Sequence, residues 1–285
     1  MKKIRILCVF CCLVISNIMI SRGDTLSLAS PVLLPDTTAD LWMPVSESDF
    51  PDTLSPEKAF AMANASYQNA RYEEALALYT RIVNKGYEGS VLFYNMGNAC
   101  YKIGDKAHAL LWYERALRLS PSNEDIKHNI AFVKQQLMDK IEPLPQFAIT
   151  RWWNALSGSM TSNQWTIASI VFTVLLLLSI LLFLVSKRSW VRAFSLTLFI
   201  VTLLLLTASL LFAHREKQHY ISNPEAILIE SVATAKSTPN PSGSDLFVIH
   251  EGIKIIITDK AADWYEIKLP NGEKGWLPKE SMEII

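Results

Sequence analysis

The chain contains 285 residues, with 27 basic and 27 acidic side chains, so its formal net charge at pH 7 is zero. A neutral chain has no overall electrostatic attraction for nucleic acid, and nucleic-acid partners are therefore not expected. Three of the four cysteines lie within an apolar N-terminal run, so the cysteine spacing indicates neither a disulfide framework nor a zinc site.

Residues 1–23 have the pattern of a secretory signal sequence. The basic start Met1–Arg5 precedes the apolar stretch Ile6–Ile20, which is short for a membrane span but fits the apolar part of a signal. Ser21 lies near plausible cleavage positions, and an uncleaved anchor is the alternative. Residues 24–55 are rich in Asp, Ser, Thr and Pro without a sustained hydrophobic period, which predicts a flexible linker.

Residues 56–138 are predicted to form a helical repeat domain. Similar residues recur at a spacing of 34; the pairs are Phe60 with Tyr94, Met62 with Met96, Ala75 with Ala109, and Tyr79 with Tyr113. The second copy has small Gly97 where two helices would cross and Pro121 at its end, and it resembles the tetratricopeptide repeat family. The resemblance implies two helical hairpins, 56–89 and 90–123, followed by a capping helix over 124–138.

The resemblance also implies a concave face that binds an extended peptide or a partner helix. The residues that would line this face are Phe60, Asn64, Tyr67, Gln68, Tyr94, Asn95, Asn98, Tyr101 and Lys102. One subclass of these domains clamps a C-terminal carboxylate with basic and Asn side chains. Asn64 and Asn95 fit that arrangement, but basic residues are expected at three positions that hold Phe60, Asp125 and Asn129, so a clamp is not favoured. The alternative is that the concave face packs against another part of the same protein.

Two apolar runs, residues 165–186 and 193–213, contain no Asp, Glu, Lys or Arg and are each long enough to cross a bilayer. The short segment 187–192 between them is basic, with Lys187, Arg188 and Arg192. Together these segments predict a transmembrane helical hairpin. The alternative is a buried helix pair in a soluble core, but such helices have a polar outer face, which these runs lack.

The predicted export signal determines the expected topology. The segment after the signal leaves the cytoplasm, so the first span runs inward and the second runs outward. Both soluble regions would then lie on the periplasmic side of a bacterial inner membrane, with the basic loop in the cytoplasm. Residues 139–164 include Trp152 and Trp153, which suit the membrane interface. Residues 214–223 are predicted to be a linker.

Residues 224–285 have the pattern of a small all-β domain. The predicted strands are 225–229, 246–249, 253–258, 264–269, 275–277 and 282–285. Asn271-Gly272 predicts a hairpin with a type I′ turn.

The segment Gly275-Trp276-Leu277, which follows the Asn-Gly turn, is similar to bacterial SH3-like domains. This resemblance implies a small barrel in which Val232–Gly243 is a long early loop. The aromatic residues Trp264, Tyr265 and Trp276 would form a ligand groove on that barrel or, alternatively, part of its core.

The sequence carries no recognisable catalytic motif. It lacks an H-E-x-x-H motif, a phosphate-binding glycine loop and a G-x-S-x-G motif. Cys100 is predicted to face the packed side of a repeat helix, which argues against the alternative of a redox protein. We therefore expect a protein that is not an enzyme and that needs neither a metal nor another cofactor.

The order of signal sequence, tetratricopeptide units, tryptophan-rich approach, transmembrane hairpin and SH3-like domain resembles the Bacteroides aerotolerance (Bat) family. That resemblance implies an inner-membrane assembly with sibling Bat proteins that carry von Willebrand A domains and, indirectly, with a MoxR-type ATPase. A role in oxygen tolerance or envelope stress is also implied. The leading interpretation is a scaffold that holds periplasmic proteins, and the alternative is a cell-wall tether whose SH3-like domain binds peptidoglycan.

Overall fold

The computed structural model describes residues 55–145, 147–222 and 224–285. The predicted signal sequence, and all of the predicted linker except Ser55, lie outside the described residues. The described part of the chain divides into two compact units. One combines residues 55–159 with 218–285, and the other is Met160–Lys217.

The first unit begins with five helices that follow the predicted repeat. They are α1 (Pro56–Gln68), α2 (Tyr72–Asn84), α3 (Ser90–Ile103), α4 (Lys106–Leu119) and α5 (Glu124–Lys134). Three of the helix starts are fixed by Ser55, Asp105 and Asn123, whose side chains accept hydrogen bonds from backbone N–H groups of the first turn. Helix α1 packs on α2, α3 packs on α4, and α5 covers α4, so the chain forms two helical hairpins with a cap.

Both helical hairpins turn at a residue with left-handed backbone. After α3 this residue is Gly104, with φ 102°, and after α1 it is Ala70, with φ 59°, at the equivalent place in the preceding repeat. In the first hairpin the N–H groups of Ala70 and Arg71 donate to the carbonyls of Tyr67 and Ser66, which is the Schellman arrangement. Alanine is strained in this conformation, whereas glycine is not.

The helices of the second hairpin approach each other closely at Gly97. A Cβ atom there would lie 2.5 Å from the ring of Tyr113, so a larger residue would displace that ring. In the first hairpin the equivalent residues are Ala63 and Tyr79, and both are fully buried. Cys100 is also completely buried in this core, and burial raises the pKa of its thiol well above the ordinary value.

The C-terminal part of the same unit is a seven-stranded antiparallel sheet. Its strands are β1 (Glu225–Leu228), β2 (Val232–Lys236), β3 (Asp245–His250), β4 (Lys254–Ala261), β5 (Trp264–Lys268), β6 (Lys274–Pro278) and β7 (Met282–Ile284), with a 3₁₀ turn at Lys279–Ser281. The strand order is β3-β2-β6-β5-β4-β1-β7, which is open at β3 and β7. The predicted antiparallel β-region is confirmed, and a closed barrel is not part of the described pairing.

Two local predictions in the sheet were wrong. The first half of the predicted loop Val232–Gly243 is strand β2, which was missed because its inward residues, Ala233 and Ala235, are small and give a weak alternating pattern. The hairpin at Asn271-Gly272 exists, but Gly272 alone has positive φ there, and its N–H donates to Leu269. The turn is therefore type I followed by a left-handed glycine, not type I′.

The sheet packs against the repeat helices, and the buried residues of both parts form one continuous hydrophobic core. The turn at Gly252 marks the closest approach, since a Cβ atom there would lie 2.6 Å from Leu137 and 3.4 Å from Leu110. Asp139, beyond the capping helix, accepts a hydrogen bond of 2.7 Å from the backbone N–H of His250. The repeat and the sheet are therefore one body, although the predicted transmembrane hairpin lies between them in the sequence.

The second unit consists of α7 (Ser162–Val185) and most of α8 (Ser189–Ser222), preceded in the chain by the short helix α6 (Ala148–Ser157) of the first unit. The segments Ser162–Val185 and Ser189–Gln218 are long and apolar enough to cross a membrane. Helix α8 begins at Ser189, so the predicted loop 187–192 is mostly helical, and Arg192 donates from Nε to the carbonyl of Ser186. The predicted linker 214–223 is also helical as far as Ser222.

Candidate binding groove

The strongest candidate site is a pocket of about 330 Å³ on the repeat helices. It is lined by Asn64, Tyr67, Gln68, Tyr79, Asn95 and Asn98. A smaller pocket of about 110 Å³ is lined by Tyr67, Asn98, Tyr101, Lys102, Tyr113, Asn129, Phe132 and Val133. The two pockets share Tyr67 and Asn98, and we call them together the repeat groove.

A hydrogen-bonded ladder of amides and phenols forms the floor of the repeat groove. In its first rung, Asn64 Oδ1 accepts from the hydroxyl of Tyr79 at 2.6 Å and from Asn95 Nδ2 at 3.1 Å. Because Tyr79 comes from α2 and Asn95 from α3, this rung joins three helices.

The second rung has the same arrangement at the equivalent positions of the next repeat. Asn98 Oδ1 accepts from the hydroxyl of Tyr113 at 2.7 Å and from Asn129 Nδ2 at 3.2 Å. Asn129 Nδ2 also lies 3.1 Å from the hydroxyl of Tyr94. The ladder therefore connects the first hairpin to the capping helix, and it holds the polar groups of the groove in fixed positions.

Burial of the two phenols keeps them protonated donors. Burial raises the pKa of Tyr79 to about 12, and it also raises the pKa of Tyr113. A neutral hydroxyl can donate to Asn64 or Asn98, whereas a phenolate could not. Both hydroxyls are therefore protonated in the physiological pH range.

The wall of the smaller pocket is amphipathic. The ring of Tyr101 lies edge-on to Phe132, with 5.7 Å between centroids, and its hydroxyl accepts from Gln136 Nε2 at 3.1 Å. Lys102 is exposed beside it and is the one charged residue among those described that line the repeat groove. Such a surface offers hydrogen bonds and apolar contact to a peptide, with little preference for charge.

Seven of the nine predicted groove residues line one of the two pockets, and Phe60 and Tyr94 line neither. The prediction omitted Tyr79, Tyr113, Asn129, Phe132 and Val133. The polar members of this set could have been found, because Tyr79 and Tyr113, like Asn95 and Asn129, occupy equivalent positions along the repeat. The sequence did not favour a carboxylate clamp, and the structure gives it no support, because Asn129 takes part in the ladder and presents no positive charge.

The sheet carries a second aromatic surface. In the β5–β6 pair, Trp276 lies opposite Glu266, and Trp264 lies opposite Pro278. The strand alternation puts both tryptophans on the face away from buried Ile267, while Tyr265 shares the face of Ile267. Trp264 and Trp276 are both half-buried, so they are not core residues.

A buried ionic cluster lies where the sheet meets the repeat. Glu114 of α4 is contacted by Lys134 at 3.0 Å and by Lys254 of β4 at 2.9 Å, and Lys254 also contacts Glu225 at 2.8 Å. Burial alone would raise the pKa of Glu114, but the attraction of Lys254 and Lys134 outweighs it and lowers the pKa overall. This cluster binds the two parts together, and none of its residues lines the repeat groove, so we assign it a structural role.

The tetratricopeptide repeat family matches residues 90–123, which are the second helical hairpin α3–α4. None of the curated proteins is similar enough to the chain to count as a match. The predicted tetratricopeptide repeat is thereby confirmed for the second copy, and repeats of this family generally bind other proteins. Among the residues that the structure describes, His, Cys, Asp and Glu side chains form no group that could hold a metal ion.

Proposed function

We propose that this protein is a non-enzymatic scaffold, anchored in a membrane, that binds a partner protein in the repeat groove. The observation that carries the proposal is the groove itself, which is preorganised by the repeated Asn–Tyr–Asn ladder and retains open volume. The sheet packs on α4 through residues such as Leu110, Glu114 and Arg115, and these line neither pocket. The groove thus stays available to a partner.

The membrane anchor is supported by the distribution of residues in the helical hairpin. The buried positions of α7 include Ser169, Thr173 and Ser179, and those of α8 include Ser195, Thr202 and Ser209. Large apolar side chains, such as Val185 and Leu204, are exposed instead. This distribution, with hydroxyl side chains buried and large apolar side chains exposed, is the reverse of that in a soluble helix pair. It is typical of helices that pack through small residues within lipid.

The proposed topology has both soluble regions on the same side of the membrane. Residues 55–159 and 218–285 belong to one compact unit, which supports a transmembrane hairpin that enters and leaves the membrane from one side. We propose that this side is the periplasm and that the membrane is the bacterial inner membrane. Reporter fusions after Asp139 and at Ile285 should both be active in the periplasm, and a fusion at Lys187 should be active in the cytoplasm. Opposite locations for the first two would refute the hairpin.

We further propose that the sheet is the SH3-like domain that its sequence resembles, and that the protein is a BatE-type member of the Bat family. Its partners would then be sibling Bat proteins with von Willebrand A domains and, indirectly, a MoxR-type ATPase, in an assembly for aerotolerance or envelope stress. This extension rests on the order of the segments along the chain.

Photo-crosslinking in intact cells tests the groove. A photo-reactive residue is placed at Gln68 or at Lys102, which are exposed residues of the repeat groove, and as a control at Lys58, an exposed residue of α1 outside both pockets. We expect discrete adducts from Gln68 and Lys102 and none from Lys58. The same adduct pattern at all three positions would refute the groove as the binding site. Mass spectrometry of the adducts tests the Bat assignment, which requires a von Willebrand A protein.

A cell-wall tether is the second candidate, favoured by the two half-buried tryptophans, Trp264 and Trp276, on one sheet face. Aromatic rings of this kind stack well on sugar rings. If the tether is correct, the purified full chain should sediment with purified cell wall, and Trp276→Ala should abolish sedimentation. Binding that survives this change would exclude the tryptophan face.

A further inference from the structure

Helix α6 (Ala148–Ser157) has an apolar face that is exposed in the described structure. Ile149 and Trp152, which are one helical turn apart, are 77% and 61% exposed. The opposite side of the helix is polar, with Thr150 and Arg151. An apolar stripe of this kind on an otherwise polar helix indicates that a surface outside the protein covers it.

The chain itself indicates what that surface is. Helix α6 ends at Ser157 and α7 begins at Ser162, so four residues separate them. Four residues reach at most roughly 18 Å from one helix end to the next, even when fully extended. If α7 crosses the membrane, as the proposed function requires, α6 is held near the boundary between the lipid and water.

We infer that α6 is an interfacial helix that lies along the membrane surface, with Ile149 and Trp152 inserted among the lipids. Tryptophan favours this depth because its ring is largely apolar while its N–H stays in contact with water. Arg151, on the polar side, is then placed to contact lipid phosphates. The inference rests on the proposed membrane hairpin and adds a second, peripheral attachment that begins before the first span.

Spin labelling of the full chain tests this inference. Cys8, Cys11 and Cys12 are replaced by Ser, whereas Cys100 is retained because it is buried. Single labelled variants Ile149→Cys and Thr150→Cys compare the two faces of α6 in vesicles of phosphatidylethanolamine and phosphatidylglycerol. Leu178→Cys, at an exposed position of α7, reports on the span itself.

The readout is the ratio of label collisions with oxygen, which concentrates in lipid, to collisions with a water-soluble nickel complex. We expect this ratio to be several-fold higher at position 149 than at position 150. Equal ratios at the two positions, with position 178 in lipid, would overturn the interfacial helix and leave the hairpin intact. A label at 149 shielded from both reagents would overturn it in favour of a protein contact. If position 178 is itself exposed to water, the span and the interfacial helix both fail.

Discussion

Replacing Glu114 with Gln should weaken the whole soluble body, because this carboxylate joins the repeat to the sheet. The Glu114 side chain is 7% exposed and pairs with Lys134 and Lys254. Removing one partner of a fully buried ion pair costs about 3–5 kcal/mol. The cost here is smaller, since Lys254 keeps Glu225 and the Lys134 side chain is 42% exposed, so we expect a loss of about 2 kcal/mol.

Urea unfolding of the full chain in detergent, followed by far-UV circular dichroism, measures this loss. Detergent keeps the apolar hairpin helical, so the change in signal comes from the first unit. With a urea dependence of about 2 kcal/mol per molar, the midpoint should fall by about 1 M. The matched control is Glu124→Gln, which breaks an exposed pair with Lys127 and should cost about 0.5 kcal/mol or less. Equal midpoints for Glu114→Gln and wild type would refute the reasoning.

The pH dependence provides a second check on the same cluster. Because the pKa of Glu114 is lowered in the folded state, its contribution is present above the unfolded value of about 4.3 and is lost as the pH falls through the folded value. Burial lowers the pKa of Lys254, but Glu114 and Glu225 outweigh this and raise it overall. The contribution of Lys254 is therefore present below about 10.4 and is lost as the pH rises through its folded value. A wild-type advantage over Glu114→Gln that persisted unchanged in strong acid would contradict this account.

Three further changes can be followed by the same urea assay. Ala70→Gly should stabilise the protein by about 1 kcal/mol by relieving the left-handed alanine, and an unchanged midpoint would show that this strain does not exceed the entropy that glycine adds to the unfolded chain. Gly97→Ala should destabilise by about 2 kcal/mol, since its Cβ would collide with the Tyr113 ring, and full stability would mean that the ring moves freely. Asn98→Ala should destabilise the protein by about 1–3 kcal/mol because it leaves the hydroxyl of Tyr113 without its acceptor. A stability equal to wild type would show that the ladder does not stabilise the repeat.

The repeat could be predicted from sequence because its information is local and recurs. The constant spacing of the two copies aligns Asn64 with Asn98 and Tyr79 with Tyr113, and small residues occur where helices must cross. Position in the repeat was enough to identify most of the groove. It was not enough to show that Asn64 and Asn98 accept hydrogen bonds inside the protein, because that depends on how the second helix of each hairpin is rotated.

The misjudged elements are those whose signal is weak or set by distant parts of the chain. Strand β2 has only alanines facing inward, so its alternation is faint, and its pairing with β3 stabilises it instead. Residues 214–222 continue α8 because charged and polar residues can extend a helix beyond its apolar part. Composition shows where the apolar run ends, but the helix can continue past that point.

The packing of the sheet on the repeat could not be predicted from any local sequence pattern, because its contacts connect residues that are far apart in sequence. Glu114 and Lys254 are 140 residues apart. The hairpin closes part of that distance, since Ser162 Oγ donates to the carbonyl of Ala213, 51 residues later, at 3.0 Å. The cost of closing a loop grows only with the logarithm of its length, so removing these 51 residues from a loop of 140 lowers the cost by only about 0.4 kcal/mol. The hairpin therefore contributes little to docking by shortening the connection. The association of the sheet with the repeat therefore depends on their own contacts. This is why the loss of the buried Glu114 carboxylate is expected to lower the free energy of unfolding.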